Sequence, residues 1–213
     1  MTKSIFLALL FLVFGCSKKT KKQTKPTITK SVNINTTEKK VEVEKDTTQT
    51  ILEETFIDST QIGNKGNFKL TIEQFRNNDS LYVVIKLSEK KKGNWIQKQK
   101  LEYLKDGITS DPKIKDFNND GYKDLTFISS VAARGANEIR KLLIFNKIDK
   151  EFNLVKNSDY YPNLQYNNLL NCIDSWMVHG GSATVFLKIE KDSLREFAGV
   201  SLLDEERQIY LVD

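Results

Sequence analysis

The chain has 213 residues, 39% of them hydrophobic and 29% charged, with a net charge of +5. That length holds one ordinary domain plus extra segments, not two large domains. Two cysteines and one histidine exclude a disulfide-dense scaffold, a cysteine zinc ribbon and histidine-rich metal catalysis.

The first elements in chain order read as an address. Met1-Thr2-Lys3-Ser4 is a short positive leader, and Ile5 to Phe14 is an unbroken apolar run. The run suits the hydrophobic stretch of a signal peptide and falls short of the roughly 20 residues a spanning helix needs. It closes at Val13-Phe14-Gly15-Cys16, which resembles a bacterial lipobox. This pattern predicts a signal peptide over 1–15 and lipidation at Cys16, placing the protein at the bacterial cell envelope. Acyl chains add about 0.8 kcal/mol per buried CH₂, so several of them make a stable membrane anchor. No acidic residue directly follows Cys16, which favours a periplasm-facing lipoprotein. Cys172 is then the one remaining thiol, read as a small buried apolar side chain.

Residues 17–50 hold nine lysines against four acidic residues, with no aromatic residue among them. So few apolar groups cannot offset chain entropy, and a disordered tether is expected to about residue 55. Lys18, Lys19, Lys21 and Lys22 are placed to meet anionic headgroups beside the anchor. From 51 to 213 the balance is 23 basic to 24 acidic residues. The positive excess thus lies outside the expected domain, 56–213, which argues against a nucleic-acid binder.

Past residue 60 the apolar period is two. Phe68, Leu70 and Ile72 alternate with polar residues; after Asn77-Asn78-Asp79-Ser80 the alternation resumes at Leu81, Val83, Ile85 and Leu87. Such a pair predicts an antiparallel hairpin. Further strands are expected at 95–103, 125–130, 138–146, 152–155, 183–190, 194–203 and 208–212. Segment 167–176 is compatible with a strand or a short helix. The fold class is all-β, as an antiparallel sandwich or a propeller-like array of sheets.

One motif is sharp: Asp116-Phe117-Asn118-Asn119-Asp120-Gly121-Tyr122-Lys123-Asp124. Oxygen-bearing residues at 116, 118 and 120 can surround one hard cation, with Gly121 permitting the turn. The Tyr122 carbonyl and Asp124 complete the shell. Three carboxylates so close in sequence repel one another unless a cation sits among them. An EF-hand would carry Glu where Phe127 stands and would have flanking helices. The motif therefore predicts a strand-flanked structural calcium site, with Mg²⁺ disfavoured by an all-protein cage.

The motif Asp116–Leu125 resembles the core of FG-GAP/VCBS-type calcium loops. A wider pattern over 114–200 includes Arg134-Gly135-Ala136-Asn137, Lys141–Phe145, Asn171-Cys172-Ile173 and His179-Gly180-Gly181-Ser182. It is similar to small bacterial envelope lipoproteins related to periplasmic lysozyme-inhibitor and immunity proteins. The Ser-Gly-x-x-Tyr motif of classical lysozyme inhibitors is absent from the sequence. The resemblance implies an all-β, calcium-bound inhibitor of a lysozyme-like peptidoglycan hydrolase.

Such hydrolases work with paired carboxylates in a cleft, and a cationic loop can answer them. Two loops have that chemistry: Ser129–Asn137, with Arg134 and Asn137, and His179–Ser182, with His179 and Ser182. Calcium would preorganise the first of these. The plain structural alternative is a surface arginine and glycines serving turn geometry. The alternative function is a non-inhibitory envelope module recognising glycan or protein. Enzyme activity is not expected: no nucleophile elbow, P-loop or dinucleotide fingerprint is present.

Overall fold

A computed structural model describes residues 49–213, apart from 79, 107, 108, 204, 205 and 213. The expected signal peptide, Cys16 and most of the expected tether lie outside the described residues. What is described is all-β, built from three consecutive antiparallel meanders.

The first sheet comprises β1 (Thr50–Asp58), β2 (Phe68–Asn77), β3 (Ser80–Lys91) and β4 (Asn94–Lys105), hydrogen-bonded in that order. The second comprises β5 (Lys113–Lys115), β6 (Asp124–Ala132), β7 (Asn137–Asn146) and β8 (Glu151–Leu154). The third runs β9 (Leu164–Asn167), β10 (Cys172–Val178), β11 (Ser182–Glu190), β12 (Ser193–Leu203) and β13 (Glu206–Leu211). Segment 167–176 resolves into the end of β9, a turn and most of β10. β1 begins at Thr50, ahead of the domain start expected at 56. It carries Ile51, Leu52, Phe56 and Ile57, yet only Phe56 packs on the core. Backbone pairing to β2, from Thr50↔Asn77 to Asp58↔Leu70, makes this strand.

The second sheet is the middle layer. Leu125, Phe127, Leu143 and Phe145 join Phe68, Leu70, Ile72, Val83, Ile85 and Leu87 of the first sheet in one core. Leu142, next along β7, points the other way and joins Leu164, Ile173, Val185 and Leu187 of the third sheet. A strand buried on both faces has no polar side to alternate, so Leu142-Leu143-Ile144-Phe145 is continuous. The first sheet keeps a solvent face, and β2 alternates accordingly. Each fully buried Leu or Phe stabilises the stack by roughly 1.5–3 kcal/mol.

Arg140 of β7, 1% exposed, lies on the same face of this middle layer as Leu142. Its guanidinium donates to Asp111 Oδ2 (3.1 Å), to Glu138 Oε2 (2.7 Å), to Thr126 Oγ1 (3.3 Å) and to the Asp111 carbonyl. A buried cation so fully partnered pins the segment before β5 onto β7.

Candidate functional site

The loop between β5 and β6 carries the expected metal residues. Lys115 pairs with Asp124 across the strands and closes its base. Phe117 is buried in the second core, and the Tyr122 ring stacks on Phe145 with centroids 6.0 Å apart. Between these anchors the backbone turns left-handed at Asn119 (φ +56°) and Gly121 (φ +88°). Asparagine tolerates that region and glycine has no Cβ to oppose it. The Asp116 carboxylate accepts the amides of Asp120 (3.2 Å) and Gly121 (2.9 Å). Asn118 Oδ1 accepts Asp120 N–H (3.2 Å), and Asp120 Oδ1 accepts Tyr122 N–H (2.9 Å).

Asp124 differs from the rest of the set. It is fully buried; Oδ2 accepts Phe117 N–H at 2.7 Å and Oδ1 accepts Phe145 N–H at 2.9 Å. Burial pushes its carboxyl up to about 7, against the two amides that favour the charged form, and repulsion from Asp120 and Asp116 adds to the rise. Asp124 therefore ties the loop to β7, a role that spacing alone does not reveal. Among the described residues no three acidic, histidine or cysteine side chains converge on a metal position. The donor chemistry still fits a hard divalent cation. All five groups offer oxygen, and each Asp124 oxygen keeps a lone pair beyond its amide.

The two expected contact loops lie side by side. Asn137, at the start of β7, is 8% exposed. Its Nδ2 donates to the Val178 carbonyl and its Oδ1 accepts Val178 N–H, both at 3.0 Å. It is therefore not a surface contact: its amide stands in for a backbone pairing between the second and third sheets. Asn163 makes a second staple, donating to the carbonyls of Ala136 (3.0 Å) and Trp176 (2.8 Å) and accepting Glu138 N–H (2.9 Å). The sequence offered a signal for it, since Asn after Pro162 is turn chemistry.

These staples put the β6–β7 tip beside the β10–β11 turn. At the tip Ala133, Arg134 and Gly135 are left-handed in succession, at φ +48°, +56° and +93°. Arg134 is exposed at its centre. Across from it His179 is exposed and closes the turn through its N–H to the Gly181 carbonyl (3.1 Å). Ser182 is half-buried and pairs with Val178 in the strand register. Of the four residues expected to contact a partner, Arg134 and His179 are thus presented to solvent.

A cleft of about 380 Å³ opens nearby, between β5, β7 and the β9–β10 pair. Lys113, Lys115, Glu138, Gln165 and Trp176 line it, with Arg140 in its wall. Lys115 Nζ donates to the Tyr166 carbonyl (3.0 Å), while Lys113 sits 3.3 Å from Asp111 and 3.6 Å from Glu138.

Fold and site together define a three-layered all-β protein with a stapled, cation-tipped end. No family profile and no curated protein matches the chain. A solved structure described as a Xanthomonas type IV secretion system related protein is similar at TM-score 0.44 and 10% identity. The match covers 74% of this chain and 99% of that one.

Proposed function

We propose that this protein is an envelope-anchored, periplasm-facing inhibitor or immunity protein acting on a lysozyme-like peptidoglycan hydrolase. Lipidated Cys16 supplies the anchor, and the β5–β6 loop holds a structural calcium ion through Asp116, Asn118, Asp120, Asp124 and the Tyr122 carbonyl. The observation that carries the proposal is the tip Ala133–Gly135, which projects Arg134 beside His179 from two asparagine staples. Left-handed Ala and Arg cost of order 1 kcal/mol each, a strain that persists only where the surroundings over-determine it. A guanidinium held this way meets paired carboxylates with little further loss of freedom.

The test is inhibition of a panel of lysozymes and peptidoglycan amidases by residues 49–213. The expected result is tight inhibition of at least one hydrolase, weakened roughly thirtyfold by Arg134→Ala, the loss of a 2 kcal/mol anchor. No binding across the panel would refute the proposal. The Trp176 cleft favours a second reading, a glycan-recognising module, because an exposed indole among polar side chains suits a sugar ring. Soluble peptidoglycan fragments would then change Trp176 fluorescence, and hydrolase activity would be unaffected.

A further inference from the structure

Although the domain is close to neutral overall, its charge is unevenly placed. Three turns meet at the end opposite the Arg134 tip: the turn before β2, the β3–β4 hairpin and the β7–β8 turn. Lys90 N–H donates to the Asn67 carbonyl (2.8 Å), joining the first two. Lys150 Nζ donates to Glu89 Oε1 (2.7 Å), joining the third. Lys91 also reaches Glu89, at 3.3 Å, so one carboxylate answers two ammonium groups. Lys65, Lys69, Lys90, Lys92 and Lys147 have no carboxylate partner among the described residues. Unpaired lysines thus outnumber the acids that could neutralise them at this end.

An aromatic side chain sits among them. Trp95, 37% exposed, has Lys69 Nζ at 5.3 Å and Lys90 Nζ at 5.6 Å from its ring. Ile96, next along β4 and pointing to the other face of the sheet, is 48% exposed. An indole rimmed by lysines is the side-chain composition that settles at a membrane–water interface, with the ring at headgroup level and the ammonium groups on phosphate. A soluble polyanion would need the charges but not the exposed indole. We infer that the Lys69–Lys90–Trp95 end of the first sheet is a docking surface for an anionic phospholipid bilayer. β7 starts at Asn137 beside the tip and ends at Asn146 beside Lys147, a span of about 30 Å. Docking by the lysine end therefore points Arg134 away from the membrane.

This inference does not depend on lipidation or on inhibition. It is tested on residues 49–213, whose two cores are drawn from within 56–194 and so need nothing upstream. Flotation with vesicles of phosphatidylcholine alone, or with about a third phosphatidylglycerol, reads binding directly. Binding is expected only to the anionic vesicles and is lost in 0.5 M NaCl. Lys90→Ala with Lys92→Gly should weaken it roughly 25-fold, at about fivefold per lysine; Lys92 is left-handed (φ +49°), so glycine leaves the turn unstrained. Lys90→Arg should preserve binding, as should the loss of Lys156 and Lys188 outside the patch. Equal binding to both vesicle types, no binding to either, an equal effect from the Lys156/Lys188 control, or binding to soluble polyphosphate but not to vesicles would each overturn it.

Discussion

Asn163 is where the stapled end is most open to attack. Its backbone is left-handed (φ +53°), its side chain makes three hydrogen bonds across two sheets, and its own N–H donates to the Glu138 carbonyl at 2.8 Å. Asn163→Ala deletes the three side-chain bonds, each worth about 0.5–1.5 kcal/mol between neutral groups. It also leaves an alanine in a region that costs about 1 kcal/mol. Destabilisation by about 3–4 kcal/mol is expected. Asn163→Gly removes the same bonds without the strain and should be milder by about 1 kcal/mol. Asn163→Asp can still accept from Glu138 N–H but turns an oxygen towards two carbonyls, so it should be no better than alanine. Urea denaturation of residues 49–213, with a shifted midpoint and unchanged slope, measures all three. An alanine variant within about 1 kcal/mol of the parent would refute the staple. A glycine variant as damaging as alanine would refute the strain.

Three further outcomes are open to direct measurement. Chelation of divalent cations should lower the melting temperature by about 5–10 °C if calcium was present at a hundred times its dissociation constant, a loss of about 2.7 kcal/mol; an unchanged melt with no metal in the purified protein counts against the site. Tyr210 donates to Glu196 (2.7 Å), and that bond, with burial, pushes its phenol up to about 12. The stabilisation is complete below pH 10 and fades as pH rises through about 12, so absorbance at 295 nm should show late-ionising phenols, and Tyr210→Phe should remove one of them. Cys172 is buried, and burial raises its thiol. In residues 49–213 it should resist a thiol reagent until urea unfolds the chain, and prompt labelling would contradict its placement.

The sequence disclosed most where one face of a strand meets water. Phe68-Leu70-Ile72 and Leu81-Val83-Ile85-Leu87 alternate because the first sheet has a solvent side. The β1 strand was hidden because Ile51, Leu52 and Ile57 are exposed, so its pattern reports no core. The β9–β10 turn was ambiguous for a related reason. Leu169 and Leu170 look like core residues, yet the turn places them at 96% and 56% exposure, with both amides donating to Asn167 Oδ1. The spacing of the β5–β6 loop was legible because it is local. The tie from Asp124 to Phe145 and the two asparagine staples were not, because those partners lie 13 to 41 residues away along the chain.

β6 separates two jobs that the sequence had joined. It leaves the β5–β6 loop at Asp124 and reaches the tip at Ala132, which invites the view that calcium would organise Arg134. Between them lies a register shift at Ile128/Ser130. There Ile128 N–H donates to the Ser110 carbonyl (2.7 Å), and the carbonyl of the skipped residue, Ser129, accepts Asp106 N–H (2.6 Å). Beyond the shift the tip is fixed by Asn137 and Asn163 to the third sheet, not by the loop. A cation bound at Asp116–Asp124 would therefore stabilise the domain as a whole without steering the tip. The affinity of the folded fraction for a hydrolase should be unchanged by chelator at temperatures well below the melt, while Asn163→Gly weakens it with calcium present. If chelator weakened affinity in a still-folded domain, coupling would run through β6 despite the shift, and the staples would not be what holds the tip.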